Sequence, residues 1–433
     1  VTTGLERFEF LGSPRFVAAL TTAILGTAVT TFPLQRMIGW PGLIGVLAGL
    51  LALAAASTLL RWRVLDWRGI LPISLIAFVV WCGLSVLWSA YQWATLAGVI
   101  YLVAFGALGI FLALTRDVIQ LVRAFGDVLR AVLAAGLVLE VIAGVLVDSP
   151  IRLLNIRGAI AEGGPIQGLA GDSTHLAILA LLGLVTFGVE LMTRSVRKSV
   201  SVASLAVGVL VILLSQSGVV IAAGFVVILV ALALAGIRRA GAPYRPPIVW
   251  SLAAVGVVLV VVVIVLRDRV LGLLESSDQA ATRIGLWRGV TNLAELHSLE
   301  GWGWIGRWRI ELDPFSYFWQ VENTTYASAF NAYLDVALQV GLVGLVLFCG
   351  LLGLVVIRSL HLAVRQKSVV YLWPALVVVV LLCTSLTESV LLTELGWMML
   401  VVCVVKSANK LSWRSAFERV RPRTTPPELP TSR

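Results

Sequence analysis

Stretches of about 20 almost wholly apolar residues recur along this chain, each long enough to cross the ~30 Å hydrocarbon layer of a bilayer as a helix. They fall near 15–32, 39–60, 70–90, 94–115, 128–147, 173–192, 200–215, 217–236, 248–266, 329–357, 369–387 and 395–406. With 59% hydrophobic and only 13% charged residues among 433, the chain lacks the polar surface to cover a soluble core of its size. The expected fold is therefore all-α: a polytopic integral membrane protein of about 12 transmembrane helices, with one long extracytoplasmic loop carrying short helices. The first apolar run reads as a retained span, with no cleavable signal before it.

The net charge of +10 suggests nucleic acid until its distribution is followed. With the N-terminus inside, the segments 61–69, 116–123, 193–199, 237–247, 358–368 and the tail, together with Arg7 and Arg15, hold 23 of the 33 Lys and Arg residues. Basic residues retained on the cytoplasmic side set such an orientation. The charge is topological, with anionic lipid as its neighbour and no nucleic acid. Both termini are then cytoplasmic in a plasma (inner) membrane. Cys82, Cys349, Cys383 and Cys403 all sit in apolar runs, with neither ligand spacing nor a disulfide framework.

Four regions follow. Residues 1–266 hold about nine spans, with an outer loop at 148–172. Residues 267–328 form an extracytoplasmic loop rich in Arg and Trp, far longer than a connector needs and so a place to look for function. Residues 329–406 are the C-terminal membrane helices, and 407–433 a basic disordered cytoplasmic tail.

Arginines on the outer side run against the topological rule. Arg283, Trp287 and Val290 share a helical face by i, i+4, i+7 spacing, while Arg288 points about 140° away from Arg283. A guanidinium fork suits phosphate oxygens, and Arg152 and Arg157 on the first outer loop would supply a second jaw. The competing account pairs these arginines with Glu275, Asp278, Glu295, Glu300 or lipid phosphate; for the cluster as a whole an anion site is favoured. Trp287, Trp302, Trp304, Trp308 and Trp319 are expected at headgroup depth, or else stacked on a sugar. Glu140, mid-span, needs a partner or water. Glu388 and Glu394 flank the last outer turn, and Glu388 faces either a cavity or solvent. No nucleotide-binding motif is present, so an activated substrate would already be attached to lipid.

Four stretches then resemble the O-antigen ligase and Wzy-type polymerase family: RGAIAEGGPIQGLAGDSTHLAI, LLSQSGVVIAA, TRIGLW followed by HSLEGWGWIG, and FNAYLDVALQVGLVGLVLF. The resemblance covers mainly residues 150 to 400. It implies a membrane glycosyltransferase, working without metal or cofactor, that moves a glycan from a polyprenyl diphosphate-linked donor to an acceptor hydroxyl of a glycan or lipid at the outer face. By the family pattern Arg283 is the leading diphosphate ligand and Arg157 matches the Arg-Gly of the earlier loop; Arg288 joins them as a diphosphate ligand from the reading of the outer arginines. Asn331, Trp287 and His175 orient substrate. Where ligases carry a His before the Asn, this chain has Phe330, which cannot accept a proton; the departure tilts the reading toward a polymerase or a diverged ligase. Glu322, Asp335 and His297 are the candidate replacement bases. A transporter or flippase of a lipid-linked oligosaccharide is the alternative, which should place its polar residues near the bilayer midplane. Cell-wall polymerases of the shape and division class, and a purely structural scaffold, are further readings that the sequence fits less well.

Overall fold

The computed structural model describes residues 11–62, 72–239, 277–318 and 326–409, with scattered positions between 247 and 269. Within these the chain is helical, with a single isolated bridge, Ile151–Ile156, and no strand. The helices in order are α1 (Pro14–Val29), α2 (Thr31–Leu60), α3 (Ile73–Leu84), α4 (Gln92–Thr115), α5 (Val118–Val141), α6 (Ser173–Thr193), α7 (Lys198–Ser215), α8 (Gly218–Arg239), α9 (Ser277–Leu296), α10 (Ala332–Arg365), α11 (Leu372–Thr384) and α12 (Glu394–Asn409). Seven of them, α2, α4, α5 (extended by one π turn), α6, α7, α8 and α10, are long and apolar enough to span a bilayer; α1, α3 and α11 are shorter apolar helices. Hydrogen bonds tie Ser85, after α3, to Trp304, Gln216, after α7, to Gly163, after α5, and Arg283 to Thr387; the end of the bundle that gathers these segments is the loop-rich end.

Helix starts follow local chemistry. Ser13 accepts the Phe16 N–H at 3.2 Å ahead of Pro14, whose missing N–H costs nothing in the first turn. Asp172 caps α6 through the Thr174 and His175 N–H groups, at 2.9 and 3.2 Å.

The longest helix, α10, is not continuous. Val340 and Gly341 leave helical geometry, Gly341 with φ +67°, and the segment 298–303 wedges against the break. Trp302 N–H donates to Leu338 O at 3.1 Å and Gly303 N–H to Gln339 O at 2.7 Å; Leu342 N–H donates to Ser298 O at 2.8 Å. The Val340 carbonyl receives Trp81 Nε1 at 2.9 Å. An unpaired amide in an apolar interior costs about 2–7 kcal/mol, so a break here persists only because the wedge pairs what it exposes. Gln339 completes the joint: Oε1 accepts from Ile305 and Gly306 N–H at 2.9 and 2.8 Å, and Nε2 donates to Gly306 O at 3.0 Å.

The wedge corrects the expectation for the tryptophans. Trp287, Trp304 and Trp308 are buried within the protein rather than presented on its surface, and GWGWIG is an element inserted beside α10. The reason is competition: residues that satisfy a broken helix must lie beside it, and the indoles fill the space around them. Trp319 lies outside the described residues. Among the described residues of 267–328, α9 is a helix of 20 residues and 316–318 are helical as well.

The loop after α5 also folds inward. Glu140, buried in α5, accepts Gln167 N–H at 2.6 Å and Gly168 N–H at 2.8 Å on Oε1. This carboxylate, expected mid-span, lies in the last turn of α5 and clamps the returning loop. Replacing Glu140 by alanine orphans both amides, and the expected loss is about 2–3 kcal/mol, read as a lower apparent unfolding temperature in detergent and faster proteolysis within 148–172. Glu140→Gln, whose amide oxygen still accepts, should recover most of the loss.

Candidate active site

The polar residues at the start of α10 organise the loop-rich end. Asn331 caps the helix, its Oδ1 accepting Tyr333 and Leu334 N–H at 3.0 and 3.1 Å, and its Nδ2 donates to Leu386 O at 3.0 Å. Ala332 N–H donates to Ser385 O at 3.0 Å. One turn into the helix, buried Asp335 uses Oδ2 for Ala329 N–H at 3.1 Å and for the Ser389 hydroxyl. Tyr333 packs edge-on against Phe348. The amide and the carboxylate thus fasten the turn 385–389 to the mouth of α10, and the phenol packs beneath it.

Arg283 holds the same turn from the other side. Its Nη1 donates to Thr387 O and its Nη2 to Glu388 Oε1 at 2.9 Å, while Cζ lies 4.9 Å from the centre of the Phe330 ring. Side-chain exposure is 15% for Arg283 and 4% for Glu388, so the ion pair is largely shielded from water and its attraction little screened. Four residues on, buried Trp287 donates Nε1 to Ala329 O at 2.8 Å. Arg283 and Trp287 therefore straddle Phe330, which takes φ +47°, a left-handed conformation uncommon for an aromatic residue. The geometry presents a guanidinium, fixed by stacking and by a carbonyl, with a carboxylate on its edge. A carboxylate there has the bidentate-acceptor chemistry of a phosphate oxygen pair.

The other expected site residues are placed differently. Arg288 is exposed on α9 and forms no ion pair among the described residues. Arg157 is exposed on the first loop, where Nε donates to Gln167 at 3.3 Å once that amide presents its oxygen. His175 heads α6 with Nδ1 3.7 Å from Asp172. Arg157 and His175 thus belong to the wall built by α5 and α6, not to the Arg283 cluster. His297 follows the last residue of α9, and the thirteen residues of helical rise from Arg283 to Leu296 put that end about 20 Å from Arg283 along the axis. Its Nδ1 meets Glu300 Oε1 at 3.1 Å and its ring meets Trp302 edge-on; the hydrogen bond holds the Glu300 carboxyl below the usual carboxylate range. Glu322 lies outside the described residues.

Sequence reasoning weighed Glu388 without selecting it. The available signal was a carboxylate in the short polar turn TSLTES between two apolar runs. Gln339, a lone amide inside an apolar run, was missed altogether. A second ionic cluster also went unread: Arg307 Nη2 reaches Glu394 at 3.1 Å, and Tyr101 donates to the same carboxylate at 2.9 Å.

The family model of the O-antigen ligases matches residues 201–349, about a third of the chain, from α7 into α10. The match takes in Arg283, Trp287, Phe330, Asn331 and the wedge, and leaves Arg157, His175 and Glu388 outside it. No curated protein sequence matches the chain.

Proposed function

From a helical, membrane-type chain that matches the O-antigen ligase family over residues 201–349, we propose a glycosyltransferase that moves a glycan from a polyprenyl diphosphate-linked donor to an acceptor hydroxyl. α1, α3, α11 and α12 cross with the seven longer helices, making eleven passes among the described residues; the further expected run, 248–266, lies largely outside them. The loop-rich end faces outward, since the described basic residues Arg61, Arg116, Arg194, Arg197, Arg238 and Arg365 lie at the other end. Carrying the proposal is the Arg283–Glu388–Phe330 arrangement: a guanidinium preorganised by its neighbours, at the mouth of a membrane helix, with an anion already on its edge.

In this reading the donor's diphosphate takes the place of Glu388 on Arg283, and exposed Arg288 adds charge from the solvent side. The acceptor oxygen attacks the anomeric carbon, the bond from that carbon to the diphosphate oxygen breaks, and its electron pair leaves on polyprenyl diphosphate. Charge that grows on the leaving group is met by a cation already in position, which a metal ion would otherwise supply. The hydroxyl proton passes to Glu388, released from its ion pair as the diphosphate arrives. This assignment replaces Asp335, whose Oδ2 is committed to Ala329 and Ser389, and His297, which sits at the far end of α9.

The experiment compares turnover of the full-length chain in liposomes across carboxylate and imidazole variants. Glu388→Gln should lower turnover by about 10²–10⁴, the usual range for loss of a general base, without weakening donor binding; His297→Ala should turn over as wild type. Unchanged turnover in Glu388→Gln would remove Glu388 from the chemistry. Transport of the lipid-linked glycan is less well supported. Glu140, the carboxylate expected mid-span, lies in the last turn of α5 and is committed to loop amides.

A further inference from the structure

Beyond the wedge, residues 305–309 lie along one face of α4. A methyl group on Gly98 would come within 2.6 Å of the Ile305 carbonyl oxygen, so the two backbones touch. Trp308 turns inward, stacking on Phe318 at 5.2 Å in a cluster with Leu286, Val290 and Tyr326 that separates this face from α9. Arg307, its neighbour on one side, faces α4 and donates to Glu394, which also accepts the Tyr101 hydroxyl. Arg309, on the other side, lines an open cleft of about 610 Å³ against the first turn of α4, with Tyr91, Gln92, Trp93 and Leu312, and Ser89 beneath.

The cleft has fixed walls and unspent groups. Ser89 is buried and accepts Thr95 Oγ1 at 2.7 Å and Tyr91 N–H at 3.2 Å; the Tyr91 hydroxyl accepts Asp313 N–H at 3.4 Å. Arg309 is exposed and forms no ion pair among the described residues; of the two carboxylates that follow it, Glu311 is exposed and Asp313 is engaged by the Ser316 hydroxyl. Trp93 is 81% exposed. An indole offers a flat apolar face for the C–H groups of a pyranose, a guanidinium grips a phosphate, and an amide serves ring hydroxyls. Glycosyl transfer needs a second substrate, and this face lies across the Trp308 cluster from Arg283.

We infer that the cleft between the first turn of α4 and residues 309–312 is a subsite for a phosphorylated sugar of the acceptor. The inference rests on the glycosyltransferase reading for its role, but its test reads binding without turnover. Radiolabelled glucose 1-phosphate is titrated onto the full-length chain in phosphatidylcholine nanodiscs. Saturable binding is expected, kept in Arg283→Ala and weakened about tenfold or more in Arg309→Gln and in Trp93→Ala, as loss of a charge-assisted contact or a stacking face requires. Both altered residues are exposed, so folding is not the variable. The inference fails if binding does not saturate, if Arg309→Gln binds as wild type, or if Arg283→Ala alone removes it. It fails equally if inorganic phosphate competes as well as unlabelled sugar phosphate, or if phosphatidylglycerol in the nanodisc displaces the probe, which would mark a lipid headgroup site. Sugar phosphate binding without any glycan transfer in liposomes would retain the site and overturn the reaction.

Discussion

Replacing Arg283 by alanine should lower glycan transfer by about 10²–10³, the cost of removing one preorganised charge from a developing anion. The structure complicates the obvious experiment. Arg283 neutralises Glu388, which is 3% exposed, and stripping one partner from a shielded ion pair costs stability as well, up to about 3–5 kcal/mol for a fully buried pair. The double variant Arg283→Ala/Glu388→Ala separates the two effects. It leaves no uncompensated charge, so its apparent unfolding temperature should return most of the way to wild type while transfer stays lost. Arg283→Lys keeps the charge but not the planar fork that stacks on Phe330 and donates to two acceptors at once. It should fall at least about tenfold in kcat/KM. Full turnover in the lysine variant would mean that a point charge suffices and that bidentate recognition is the wrong physical account.

The second large effect is expected at Gly341, remote from any charge. Its φ of +67° is open to glycine and costs other residues about 1–2 kcal/mol. A β-carbon there would sit 2.1 Å from the Leu299 carbonyl oxygen, which is backbone and cannot swing aside. Gly341→Ala must therefore either expel the 298–303 wedge or straighten α10, and each breaks hydrogen bonds such as Gly303 N–H to Gln339 O and Leu342 N–H to Ser298 O. Strain, overpacking and unpaired amides together should exceed about 3 kcal/mol. In detergent the variant should show a markedly lower apparent unfolding temperature and a poor yield of monodisperse protein. Activity should fall with it, because the first two turns of α10 carry Asn331 and Asp335, and these hold the 385–389 turn against Arg283. A Gly341→Ala protein as stable as wild type would show that the break in α10 is not maintained by this contact.

How far the sequence could be read depended on whether the signal was local. Apolar runs marked the described apolar helices and their order because hydropathy acts residue by residue, and the match over 201–349 accords with the resemblance read from TRIGLW and FNAYLDVALQ. The cap at the start of α10 is a local feature too, an asparagine directly ahead of the helix. The break at Val340–Gly341 was not legible, because VALQVGLVG reads as an apolar run in which the lone Gln339 marks no break. What interrupts it is a segment forty residues earlier in the chain, and only the tertiary fold brings Gly301 and Gly341 together. Burial of Trp287, Trp304 and Trp308 was missed through the same cause: in a chain this apolar, an indole suits an interface or an interior equally well. The Arg283–Glu388 pair joins residues 105 apart. No spacing rule reaches across that distance, so Glu388 stayed undecided while nearer carboxylates were weighed. Conversely His297 looked close to Arg283 because both lie in one loop, and a straight α9 sets them apart.

The central claim is that a guanidinium at the loop-rich end grips a departing pyrophosphate. It is tested most directly by reconstituting the full-length chain in liposomes with a lipid-linked glycan and an acceptor, with no nucleotide sugar and no added divalent cation, and measuring polyprenyl diphosphate against glycan transferred. The account predicts one diphosphate released for each glycan joined, with both signals lost together in Arg283→Ala/Glu388→Ala. Donor that crosses between leaflets with its glycan still attached, and no diphosphate released, would contradict it.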